Sequence, residues 1–60
     1  MQTYALLSYG ELVTFRVLDM HTVRMQCKRN GRVAAIKLLT LDEARQHWRR
    51  LRGKGYKISR

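Results

Sequence analysis

The sequence predicts an α+β fold: an antiparallel β-meander of three to four strands with one C-terminal α-helix packed on one face. Three observations predict it. Asn30-Gly31 lies between two runs of β-compatible residues, Val13, Phe15 and Val17 alternate in the run before them, and Thr40-Leu41-Asp42-Glu43 opens an apolar stripe of helical period. With 60 residues, the chain makes a single small domain, 1–60, that hides only about 60% of the surface its unfolded form exposes.

The first segment, TYALLSYG, reads as a strand over about residues 3–8. It is either a fourth, edge strand ended by Gly10 or the start of one long strand bent at Gly10. The second strand covers about 12–18. Its set Val13, Phe15 and Val17 must face the same side as Val23 and Met25, which selects a three-residue loop, Asp19-Met20-His21. A two-residue loop would bury Thr14 and Arg16 instead.

The third and fourth strands, about 22–29 and 32–39, join through Asn30-Gly31, a dipeptide suited to a type I′ turn because both positions tolerate φ > 0. An uninterrupted ladder sets Arg29 opposite Arg32, Cys27 opposite Ala34, Met25 opposite Ile36 and Val23 opposite Leu38. Lys37 then turns to the outer face with Arg24, Gln26 and Lys28.

The helix, about 41–53, begins with a capping box in which Thr40 caps the first turn and Glu43 reaches back. Leu41, Ala44, Trp48 and Leu51 form its narrow apolar stripe, with Trp48 as the anchor on the sheet. Gly53 or Gly55 ends it, leaving an extended basic tail, 54–60, in which Tyr56 and Ile58 suit a short returning strand or an extended segment against the core. Over about residues 11–53 this plan resembles, in topology alone, the small DNA-binding domains of the integrase N-terminal type. The resemblance implies that an exposed sheet face is laid on a DNA groove.

The chain carries 13 Lys and Arg against 4 Asp and Glu, a net charge of +9. The excess is concentrated late: residues 45–60 hold seven cations and no Asp or Glu. Such a field disfavours the compact state by self-repulsion, and a polyanion relieves it. Two groups of cations are candidates for binding DNA or RNA. On the sheet, Arg16, Arg24, Lys28, Arg29, Arg32 and Lys37 form one surface, in which the expected register lines Arg16, Arg24 and Lys37 into a cationic row across three strands. On the helix and tail, Arg45, Arg49, Arg52, Lys54 and Lys57 add phosphate contacts. Some helix arginines have a purely structural account as helix formers that complement the dipole at the last turn.

Thr14 and Gln26 are the only side chains among the sheet cations suited to base edges, so low sequence specificity is expected. The outer rows hold no aromatic stacking residues of the kind single-strand readers use, so double-stranded DNA is slightly favoured over RNA. An acidic protein partner is the competing reading, and self-association through an exposed edge strand is a further expectation for so small a core.

Enzymatic chemistry is not expected. His21 and His47 are the only imidazoles, Glu43-x-x-x-His47 is a common surface spacing, Cys27 alternates with core residues, and no metal-ligand spacing or phosphate loop is present. No cofactor or metal is therefore expected. A single cysteine, the lack of a basic apolar leader and the lack of any stretch near 20 apolar residues lead to the expectation of a cytoplasmic protein without a membrane span.

Overall fold

Residues 2–59 are described by a computed structural model of the chain. Five strands and one helix follow in the order β1 (Thr3–Ser8), β2 (Glu11–Val17), β3 (Thr22–Arg29), β4 (Arg32–Thr40), α1 (Leu41–Gly53) and β5 (Lys57–Ser59). The strands form one antiparallel sheet of order β4-β3-β2-β1-β5, with α1 against one face. The fold is therefore the expected α+β meander with a C-terminal helix, enlarged by one strand.

The chemistry of each connection explains the element it closes. Ser8 pairs with Glu11 across Tyr9-Gly10, where Gly10 has φ 76°, so TYALLS is a separate strand and not the start of a bent one. Val17 pairs with Val23, Phe15 with Met25 and Val13 with Cys27, the register that the longer β2–β3 loop demands. That loop is held by the Leu18 N–H donating to the Thr22 carbonyl at 3.0 Å and the His21 N–H donating to Asp19 Oδ1 at 2.8 Å. Asn30 at φ 51° and Gly31 at φ 80° supply the left-handed pair of the type I′ hairpin. The two hairpin tips are tied, because the Asn30 N–H donates to the Gly10 carbonyl at 2.9 Å.

The β3–β4 ladder corrects the uninterrupted register. Arg29 faces Arg32 and Lys28 faces Val33, but a bulge then intervenes, and Cys27 faces Ala35, Met25 faces Lys37, Arg24 faces Leu38 and Val23 faces Leu39. Ala34 is the extra residue. Every side chain beyond it changes face relative to the plain hairpin, so Leu39 enters the core and Leu38 and Ile36 turn outward. Either register offers apolar residues to the core, since Ala34-Ala35 and Leu38-Leu39 are apolar pairs. The bulged one sets Leu39 and Leu41 on the same side and so delivers the chain to the helix side of the sheet.

The capping box forms as expected: Thr40 Oγ1 accepts from the Glu43 N–H at 3.2 Å and Glu43 Oε1 accepts from the Thr40 N–H at 3.0 Å. The helix ends in a Schellman motif. Gly55, at φ 97°, donates its N–H to the Arg52 carbonyl, and Tyr56 donates to Leu51, both at 3.1 Å. That turn brings Tyr56 back to the sheet and lets Lys57–Ser59 pair with β1, so the segment read as an extended tail forms a strand over Lys57–Ser59.

Among the described residues seven make the core: Leu6, Val13, Phe15, Val23, Met25, Leu39 and Ala44. Each large one contributes roughly 1.5–3 kcal/mol by leaving water. Trp48 closes the core edge-on, its ring centroid 5.6 Å from Phe15 and 6.1 Å from Tyr4. Among the described residues no helix is long and apolar enough to cross a membrane.

Candidate nucleic-acid interface

The face of the sheet turned away from the helix is fixed by the pairing rows. Thr3, Arg16, Arg24 and Leu38 make one row, Ser59, Ala5, Thr14, Gln26 and Ile36 the next, and Lys57, Leu7, Leu12, Lys28 and Val33 the third. Arg16 stands directly opposite Arg24, and β5 brings Lys57 into the row of Lys28. Between the two arginines lies a shallow depression of about 280 Å³ lined by Thr3, Thr14, Arg16, Arg24 and Gln26. Two guanidinium groups, two hydroxyls and one amide give it donors suited to a phosphate oxygen.

All four Asp and Glu side chains lie elsewhere, each engaged. Glu11 faces the helix side, where Oε1 accepts from the Tyr56 hydroxyl at 3.0 Å and Oε2 meets Arg29 Nε at 3.3 Å. Asp19 holds its own loop, and the backbone N–H of His21 keeps its carboxyl below the usual range. Glu43 is held in the capping box, and the Thr40 N–H lowers its pKa in the same way. Asp42 stands 3.9 Å from Arg45. The outer rows thus carry Arg16, Arg24, Lys28 and Lys57 without a carboxylate.

The single six-residue sheet surface expected from the sequence divides in two. Arg16, Arg24 and Lys28 remain together on the outer face. Arg29, Arg32 and Lys37 belong to the helix side, Lys37 because the bulge sets it opposite Met25. The cationic row Arg16-Arg24-Lys37 is therefore corrected to Arg16-Arg24-Leu38. Arg45 and Arg49 are exposed on the helix, as is Lys54 at its end. Arg52 is occupied structurally, its Nη1 donating to the Tyr56 carbonyl at 2.8 Å. Lys57 moves the other way, from tail to outer face.

Sequence reasoning missed Thr3, which pairs with Arg16 and lines the depression. The signal was the Tyr9-Gly10 turn, because a two-residue loop there forces Thr3 opposite Arg16. It also missed the apolar border, where Leu7, Val33, Ile36 and Leu38 are about half exposed or more.

Cys27 is partly buried, and that burial, followed by the nearby Glu11 charge, pushes its thiol up and keeps it protonated at neutral pH. Among the described residues no three His, Cys, Asp or Glu side chains come together as a metal site. Residues 11–53 do run as three antiparallel strands followed by a helix, the plan on which the topological resemblance rests. Comparison with protein-family models, curated proteins and solved structures finds no match.

Proposed function

We propose that this protein is a non-enzymatic nucleic-acid-binding protein of low sequence specificity, acting in the cytoplasm, that lays the outer face of its sheet on a duplex backbone. The observation that carries the reading is the placement of Arg16 opposite Arg24 over a polar depression, on a face whose rows hold four cations and no acid. Like charges directly opposite cost stability in a sheet, and a phosphate between them turns that cost into two charge-assisted hydrogen bonds. Lys28 and Lys57 extend the contact from the third row, beyond Thr14 and Gln26. Arg45, Arg49 and Lys54 lie on the helix side and meet phosphates only where nucleic acid wraps past the sheet edge. Phosphate contacts fix position without reading sequence, and Thr14 and Gln26 are the side chains set to touch a base edge. Duplex DNA is preferred over single strands, since none of the outer-row side chains is aromatic.

The apolar border supports a second reading, in which the same face docks on an acidic protein. Leu38 at 68% and Ile36 at 50% exposure flank the arginines, a mixture more typical of protein interfaces than of phosphate clamps. Titrating duplex DNA binding against salt separates the two. Under the first reading log Kd rises linearly with log salt, with a slope of about 0.9 per phosphate engaged and a total near 3 or 4 for the outer face. Absence of duplex binding at about 50 mM salt rejects it.

A further inference from the structure

The sheet has two edges of unequal character. β5 is three residues long and begins with Lys57, a short, charged edge of the kind that resists pairing. β4, at the other end of the sheet order, runs nine residues, with Lys37 as its sole charge after Arg32. Its outward side chains Val33, Ile36 and Leu38 are 52%, 50% and 68% exposed. A strand free on one side presents alternate N–H and C=O groups without ladder partners. The bulge at Ala34 protects the end near the hairpin, which leaves Ala35–Thr40 as a regular, mostly apolar stretch open to another strand.

We propose that this edge pairs with its own copy, antiparallel and about a two-fold axis, with Leu38 at the centre of the β4–β4 ladder. The sequence of the edge selects both partner and register. A two-fold axis perpendicular to the sheet keeps outer face with outer face, so only registers centred on a residue are allowed. Centring on Lys37 sets two ammonium groups directly opposite each other, which is unfavourable. Centring on Ile36 runs the ladder into the bulge. Centring on Leu38 sets the most exposed leucine of β4 against its twin, Ile36 against Thr40, and Lys37 against Leu39, with no like-charge pair. The outer faces of both copies then join into one ten-stranded surface, and Leu38, which closes the Arg16-Arg24 row, lies at the seam.

The contact is small, on the order of half the roughly 800 Å² per partner of a standard interface, so the dimer is dependent on concentration. Each copy carries +9, and the copies repel at low ionic strength. Salt screens that repulsion and strengthens self-association, the opposite of its effect on phosphate binding. The dimer and the nucleic-acid reading are thereby tested separately.

Sedimentation equilibrium of the free protein from about 5 to 500 μM is the primary experiment. A dimer that tightens several-fold between low and moderate salt is expected, and Leu38→Lys is expected to be monomeric, with the melting temperature that the parent shows at dilutions where it too is monomeric. The register is read by oxidation of Leu38→Cys in a Cys27→Ala background, with Lys37→Cys in the same background as control. Position 38 forms a disulfide-linked dimer, because directly opposite Cβ atoms stand about 4.5–5.5 Å apart, and position 37 does not. A monomer across the whole range, a Leu38→Lys protein as dimeric as the parent, or cross-linking at 37 instead of 38 overturns the proposal. If Leu38→Lys fails to fold, the cysteine pair still decides it.

Discussion

Glu11 joins three elements through one carboxylate, since it begins β2, accepts from Tyr56 after the helix and meets Arg29 at the end of β3. Its pair with Arg29 is largely exposed on the arginine side and counts for little, so its value lies in the Tyr56 hydroxyl. Glu11→Ala is expected to cost about 1–2 kcal/mol in urea denaturation, whereas Arg29→Ala costs well under 1 kcal/mol. Burial, then the hydrogen bond to Glu11 and its charge, raises the Tyr56 pKa above its usual value. A raised pKa in the fold means stability that is whole below the ordinary phenol pKa of about 10 and is lost as pH rises through the raised value. For Asp19 and Glu43, whose pKa values are lowered, the sign reverses. Their contribution is present above the ordinary carboxylate range and disappears as pH falls through the lowered values. Melting temperature followed against pH should therefore fall at both ends, and Tyr56→Phe should remove part of the alkaline loss while leaving the acid side unmoved.

At the scale of elements, the hairpin of β3 and β4 shows where pattern stops deciding. Asn30-Gly31 specifies the turn and Arg29 opposite Arg32, and Val13, Phe15 and Val17 specify β2 because the alternative buries Arg16. The Thr40–Glu43 box specifies the start of the helix. Beyond Cys27, however, both faces of β4 are apolar enough to pack, and no local residue signals a bulge at Ala34. The choice depends on where the strand must hand over to the helix, a long-range condition. The expected row of three cations failed for that reason, and the Arg16–Arg24 pair survived because it rests on the well-patterned β2–β3 ladder. Likewise Lys57 joined the outer face through Gly55, whose turn direction a glycine in the sequence permits but does not dictate. The bulge has a direct test in adjacent leucines. Leu39→Ala should cost about 2–4 kcal/mol and Leu38→Ala less than about 1 kcal/mol in denaturant unfolding, an order that the uninterrupted hairpin would reverse. Thr40→Ala should cost about 1 kcal/mol through the lost cap.

For the whole molecule, charge is sorted by face. Glu11, Asp19 and Glu43 are held in a cross-element contact, a loop and the helix cap, Asp42 stands beside Arg45 within the helix, and the outer rows keep only cations, neutral polar groups and an apolar border. Removing the central pair, Arg16→Ala with Arg24→Ala, should leave stability unchanged or slightly raised, because a like-charge contact is relieved. It should weaken duplex binding roughly tenfold or more and lower the salt slope by about two. Lys37→Ala, on the other face, should change neither by more than about half a slope unit.

The location of the interface can be read directly from backbone amide shifts of labelled protein titrated with a short duplex. Perturbations concentrated at Thr14, Arg16, Arg24, Gln26, Lys28 and Lys57, saturating together while Arg45 and Arg49 stay nearly fixed, are the predicted result. Shifts confined to Arg45, Arg49 and Lys54, with the outer rows unmoved, would contradict the claim that the sheet face grips the polyanion.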